Sequence, residues 1–187
     1  MLLPTTPFMP GEFRIQHVSA EWERRACVEL RRAVFCAEQA IFDGDDGDAV
    51  DAHALPIAAI ACVAGIGERV VGTVRIHRPS PDREPGLWQG SRLAVLADYR
   101  RSAWLGSELI RHAVRTAHAR GCTRFVAQVQ VQNVKRFEQL HWTSLEAIEV
   151  RGRPHVLMQA RLEHYPPRHR DAVAFYTHLH GHAQRAA

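Results

Sequence analysis

Residues Leu93 to Ile110, LAVLADYRRSAWLGSELI, constrain the fold more than any other stretch of the chain. An apolar strand runs into a long helix through a short loop that opens with Arg100 and Arg101. Such a junction aims the free N–H groups of the first helical turn, and the positive end of the helix dipole, at whatever lies in front of it. That is an anion-binding arrangement. Either arginine can add charge-assisted hydrogen bonds to a phosphate.

The remaining residues supply a sheet around this junction. Phe13 to Val18 alternates apolar and polar residues as a strand does, and Glu21 to Gln39 places Trp22, Ala26, Leu30, Ala33, Val34 and Ala37 at helical spacing. Ser19 is the expected cap of that helix. Strands are predicted at 57–64 and 69–77, joined by a turn at Gly65-Ile66-Gly67, and at 92–96. A helix from Trp104 to Arg120 stops at Gly121. A strand at 123–132, a short helix at 133–141 and strands at 143–150 and 156–163 complete the order. This is an α/β chain whose mixed sheet carries helices on its faces. Its 187 residues suit one domain, preceded by a proline-rich arm at 1–12 and followed by a His-rich tail at 166–187.

Composition narrows the partners. The net charge of +4 comes from 23 arginines and a single lysine, Lys135, spread among acids without aromatic interleaving, so nucleic acid is not an expected ligand. No run approaches the ~18 apolar residues that cross a bilayer. Residues 1–13 lack the basic start of a secretory signal. Cys27, Cys36, Cys62 and Cys122 form no C-x-x-C pair and read as reduced thiols, so a cytoplasmic setting is expected.

The arginine loop resembles motif A of the GNAT superfamily of acetyl-CoA-dependent N-acetyltransferases, in which Gln/Arg-x-x-Gly-x-Gly/Ala wraps the pyrophosphate of coenzyme A. Arg101, Leu105 and Gly106 fit that frame, while Trp104 stands where the first glycine belongs. The element order is similar to that fold from about residue 13 to 163. The runs QNVKRFEQLHW and GRPHVLMQARLEHYPP are similar to a bacterial subfamily associated with nitrogen starvation. The resemblance implies a central, mostly antiparallel sheet with one splayed parallel pair. It also implies acetyl-CoA as co-substrate and an amine, as a small molecule or an amino terminus, as acceptor. A homodimer is the assembly it suggests.

By the same resemblance, the backbone of Leu93, Ala94 and Val95 pairs with the pantetheine arm. The pyrophosphate loop comprises Arg100, Arg101, Ser102, Ala103, Trp104, Leu105, Gly106 and Ser107. Asn133 opens motif B and contacts the coenzyme. Phe137 falls where many family members carry a tyrosine that protonates the leaving thiolate, and phenylalanine has no proton to give. For Trp104 two placements are open: stacking on the adenine or a neighbouring helix, or obstruction of the loop.

Gln128, Gln130 and Gln132 alternate with Ala127, Val129 and Val131 on a strand that should be apolar on both faces if it is central. They read as the wall of a polar substrate cleft or as the wet face of an edge strand. Transfer to an amine needs a base or a water chain to take its proton, and Glu38, His155 and His53 are the candidates, the first two preferred and His53 also a substrate-side group. The acidic run from Asp43 to Asp51 fails the EF-hand template, since Gly47 holds the fifth position and Asp48 the glycine position. It reads as an attractor for a cationic amine, through Asp51, or as a solvated loop. No metal site is expected, although the tail residues 178–182, HLHGH, could take one opportunistically. Two other readings stay open: an acyl-CoA sensor without turnover, and an acyl-homoserine-lactone synthase, which the VF-x-x-EQ run at 34–39 resembles.

Overall fold

The computed structural model describes residues 11–79, 82, 84–100, 104–168, 172–177 and 183–185. Nine strands form one sheet in the order β6-β7-β5-β4-β3-β2-β1-β8-β9. In chain order they are β1 (Glu12–His17), β2 (Leu55–Val63), β3 (Ile66–His77), β4 (Leu87–Val95), β5 (Arg124–Gln130), β6 (Trp142–Val150), β7 (Arg153–Ala160), β8 (Ala172–Thr177) and β9 (Ala183–Arg185). The helices are α1 (Glu21–Arg31), α2 (Trp104–Ala119) and α3 (Val134–Gln139). All strand pairings are antiparallel except β4 with β5.

The two faces can be read from strand alternation. On β2, Ile57, Ala59 and Ala61 join the core beneath α2, whereas Ala58, Ile60 and Cys62 join the core beneath α1. Helix α2 presents Leu105, Leu109, Ala113 and Ala117 to the sheet at four-residue spacing, with Ile110 and Val114 beside them. Gly121, at φ +86°, takes the left-handed position that ends it. Helix α1 is capped differently from expectation. Ser19 is not the cap; the Glu23 carboxylate instead accepts from the N–H groups of Ser19 (2.9 Å) and Ala20 (3.2 Å).

After Arg31 the α1 helix widens into a π-helical turn from Arg32 to Glu38, in which the Gln39 N–H reaches back to the Val34 carbonyl. Such widened turns recur at functional sites. Here the turn delivers Glu38 and Gln39 to the end of the sheet where β4 and β5 part.

The expected C-terminal tail is partly sheet. Residues 172–177 pair with β1 and 183–185 pair with β8. The histidine run at 178–182 lies outside the described residues. Trp104 finds its place through the same strand. Its indole packs against Phe13 on β1 (centroids 5.3 Å apart) and Phe175 on β8 (5.7 Å), so the residue in the glycine position of the motif ties α2 to the far edge of the sheet. Trp104→Gly is expected to cost about 2–4 kcal/mol, somewhat below a fully buried aromatic truncation because the indole is partly exposed. A denaturant midpoint measurement checks this, and an unchanged midpoint would mean that the contact carries no stability.

Candidate functional site

Strands β4 and β5 pair in parallel over four registers only, from Leu87 with Arg124 to Gly90 with Ala127. Past Gly90 they diverge. β4 continues on β3 as far as Val95, and β5 continues on β7 as far as Gln130. The facing edges of 91–95 and 128–130 are therefore left without a strand between them.

Two local features set the fork. Gly90 sits at its crotch, where a Cβ would come within 3.1 Å of the Phe125 ring. One step on, the β3 register slips between Ser91 and Ala94, and Arg92 adopts a left-handed φ of 54°. This is a β-bulge, which bends the strand carrying it.

The bulge is held by charge. Arg31, Arg75 and Arg92 alternate with Asp46, Asp48 and Asp51 in a closed ring. Asp46 bridges Arg31 (2.7 Å) and Arg92 (2.8 Å), Asp48 bridges Arg92 (3.0 Å) and Arg75 (2.7 Å), and Asp51 bridges Arg75 (2.6 Å) and Arg31 (2.6 Å). Asp46 is 0% exposed. Burial opposes ionisation of Asp51, yet hydrogen bonds from Arg31 and Arg75 hold its carboxyl well below the usual carboxylate range. Burial likewise disfavours the Arg31 charge, and its bonds to Asp51 and Asp46 more than restore it. The expectation that Asp51 and its neighbours attract an amine is thereby corrected. Their charge is already matched by three arginines that lie far away in sequence, and the loop clamps the bulge.

A cavity of about 210 Å³ fills the fork and reaches both faces of the sheet. On the α1 side polar side chains share its wall with Phe35, Ile41 and Phe42. Gln128, Gln130, Asn133 and His155 line it, together with Gln39 from the end of the π turn. The glutamine alternation thus marks a cleft wall on an interior strand, since β5 lies between β4 and β7. Gln132 donates to Gln130 (2.5 Å) and Gln130 to Gln39 (3.2 Å), a chain of amides that crosses from β5 to the π turn.

His155, opposite Gln130 on β7 and 8% exposed, makes a 2.9 Å hydrogen bond between Nδ1 and the Arg153 carbonyl. A carbonyl can only accept, so Nδ1 carries the hydrogen and the neutral ring keeps its lone pair on Nε2.

Of the other candidates, Leu93 lines the cavity, while Ala94 is buried toward α1. The Val95 carbonyl accepts from Arg100 Nε at 2.6 Å. Arg100 also grips both oxygens of Glu38, at 2.5 and 2.8 Å, and holds that carboxyl below its ordinary range. Glu38 is thereby corrected as a base, because an ion-paired carboxylate is a poor proton acceptor. His53 and Asp51 do not line the cavity. His53 instead lies edge-on to His77, with centroids 5.9 Å apart.

Burial pushes the His77 imidazole down to about 4. Between its ordinary value and about 4, the unfolded chain binds a proton that the folded chain refuses, so stability falls as pH drops through that window. The contribution is at most about 3 kcal/mol. His77→Gln should flatten the stability curve over that range, and an equal slope in both proteins would show that His77 is not involved.

In the loop before α2, Arg101, Ser102 and Ala103 lie outside the described residues. Leu105 is core, and Gly106 faces the mouth of the fork. A Cβ on Gly106 would meet Arg136 Nη1 at 3.6 Å and Val95 Cγ2 at 3.9 Å. Arg136 is therefore a cation at the start of α2 that motif reading passes over. Its only sequence signal is its place three residues after Asn133, one helical turn on.

Phe137 is buried edge-on against Trp142 at 5.0 Å. Trp142 donates to the Tyr165 hydroxyl at 3.1 Å, and that hydroxyl donates to the Leu140 carbonyl. The two sequence runs that carry the subfamily resemblance are thus bonded to one another. Among the described residues, no group of three or more His, Cys, Asp or Glu side chains is placed to hold a metal. No described helix is long and apolar enough to cross a membrane.

A mixed sheet opened at its single parallel pair, with a strand–loop–helix junction at the mouth, defines the fold class of the acyl-CoA-dependent acyltransferases. The chain belongs to the acetyltransferase (GNAT) family, whose profile matches residues 25–141. Among solved structures, it is similar to a candidate N-acetyltransferase from Lactobacillus plantarum, at 20% identity and a TM-score of 0.67, covering 79% of this chain and 97% of that one. ElaA from Escherichia coli is similar at 20% identity and a TM-score of 0.65, covering 80% and 98%. BjaI, a CoA-dependent acyl-homoserine lactone synthase, is similar at 19% identity and a TM-score of 0.63, covering 82% and 86%. No curated protein matches the sequence.

Proposed function

We propose that the protein transfers an acyl group, acetyl being the smallest, from coenzyme A directly to the nitrogen of an amine. The observation that carries this reading is the fork. Two parallel strands separate after four pairs and leave a cavity with polar side chains in its wall beside a free strand edge. The backbone of Leu93, Ala94 and Val95 offers that edge to the pantetheine arm, and Asn133 stands at its end. The start of α2, with Gly106, Ser107 and Arg136, faces the phosphates, and Arg101 to Ala103 belong to the same loop by their place in the sequence.

His155 takes the proton of the ammonium on Nε2, so that a neutral amine attacks the thioester carbonyl. The nitrogen adds to the carbonyl carbon, N–H groups on the open edge of β4 stabilise the oxyanion, and as the C–S bond then breaks the nitrogen's second proton passes to solvent. The thiolate leaves without help from residue 137, where phenylalanine has no proton to offer, and takes up a proton from solvent. Gln128 and Gln130 orient the acceptor. Most of the rate comes from positioning.

The test is release of free thiol from acetyl-CoA and longer acyl-CoAs in the presence of a broad amine panel. Thiol release that requires both partners supports transfer. Binding of acyl-CoA without release above background would make the domain a sensor instead. We also propose membership of the nitrogen-starvation-associated group, on the strength of the two bonded sequence runs. Protein levels unchanged on nitrogen limitation would overturn that placement.

A further inference from the structure

The cleft on the α1 face is short of negative charge. Among the described residues that line it there is no aspartate or glutamate, and the permanently charged ones are Arg92 and Arg151. Glu38, at the end of the π turn, is committed to Arg100, and Asp46, Asp48 and Asp51 are committed to the ring. A cleft lined by charge of one sign draws the opposite sign. A second cation on the acceptor, such as a diamine carries, finds no counter-charge here.

Arg151 is placed in this wall against local preference. It is the first residue of the two-residue loop between β6 and β7, where Val150 pairs with Arg153. Both loop residues take a left-handed φ, 52° at Arg151 and 69° at Gly152. Tight hairpins of this kind favour asparagine or glycine at the first position, since other side chains are strained there. Two contacts hold the loop beside the cleft. Arg153 donates to the carbonyls of Gln39 (2.8 Å) and Ala40 (3.1 Å), and the Arg151 guanidinium lies over the Phe42 ring, 4.2 Å from its centroid. Arg92 lies over the same ring at 4.4 Å.

The two arginines differ in what they already hold. Arg92 is matched by Asp46 and Asp48, whereas no carboxylate among the described residues pairs with Arg151. A guanidinium stacked on a ring keeps the edges of its planar fork open, and that fork fits the two oxygens of a carboxylate. The same hairpin carries His155, opposite Ile148, so the open cation and the base share one support. We infer that Arg151 holds the acceptor, and that the acceptor is an amine with a carboxylate close to its nitrogen, as in an α-amino acid. The carboxylate docks on the Arg151 fork, Arg92 adds to the positive field, and the nitrogen is turned toward Nε2 of His155. This inference rests on the acyl-transfer reading and names the acceptor class for it.

The test follows thiol release by the whole protein from acetyl-CoA and longer acyl-CoAs, with acceptors supplied in sets of three. Each set holds an amino acid, its amide and the amine left by its decarboxylation, and a diamine is run beside them. The free amino acid should exceed its amide by about 10–100-fold in kcat/KM, the worth of a charge-assisted hydrogen bond, with most of the difference in KM. Arg151→Gly removes the fork at a backbone position that suits glycine, and the ratio of acid to amide should fall to about one. Arg151→Lys keeps the charge without the fork and should retain part of the ratio. Thermal melting checks that both variants are folded. Equal kcat/KM for acid and amide, a preference for the diamine, or a wild-type ratio in Arg151→Gly would overturn the amino-acid acceptor and leave acyl transfer intact. Absence of thiol release with every amine would overturn both.

Discussion

His155→Ala is expected to lower kcat for acyl transfer by about 10²–10⁴-fold, the usual worth of a positioned general base. The dissociation constant for coenzyme A should change little, because His155 stands on β7 across the cleft from the β4 edge assigned to the coenzyme. His155→Gln preserves hydrogen bonding but cannot accept the proton, so it should share the loss. Recovery of activity in the glutamine variant would reduce His155 to a positioning role. Glu38→Gln offers the contrast. It breaks the bidentate grip of Arg100 and should act on binding of the donor more than on turnover. An equal loss of kcat in Glu38→Gln would return the base to the π turn.

Asp46→Ala is expected to destabilise the fold by about 3–5 kcal/mol, because it leaves two buried or half-buried guanidiniums facing each other without their shared carboxylate. The loss is measured as a shift of the denaturant midpoint, and raised salt should offset little of it, since Asp46 is fully buried. Any Asp46 variant that remains folded should also bind acyl-CoA more weakly, because Arg92 at the bulge is then held by Asp48 and a backbone carbonyl alone. A midpoint within error of the wild type would mean that the ring is not structural.

The elements of the fold were legible because each carries its own period. Alternation gave β1 and β5, helical spacing gave α1, and Gly121 marked the end of α2. The fork was implied by the resemblance of Leu93–Ile110 to motif A, and the glutamines on β5 pointed to a cleft wall or a wet edge. What sequence could not show were pairings between distant positions. The acidic loop looked unmatched because its partners lie 15 residues away at Arg31 and 46 away at Arg92. Glu38 looked available as a base because Arg100, 62 positions on, is its neighbour only in space. Trp104 looked like a fault in a glycine motif because Phe175, on which it packs, lies on a strand that read as a tail. His155 was legible as a candidate base beside Glu38, though not as the better placed of the two. What distinguishes it is a hydrogen bond to a backbone carbonyl, and no side-chain pattern encodes that.

The alternating ring has a consequence for how sequences of this kind can diverge. Each aspartate serves two arginines and each arginine serves two aspartates. Exchanging one member therefore leaves two others with a single partner each, and a second exchange repairs only one of them. The six positions should be inherited as a block. Descendants that share this fork are expected to keep all of Arg31, Asp46, Asp48, Asp51, Arg75 and Arg92 or to have replaced them together, and a lineage retaining four or five of the six would be a rare transitional form.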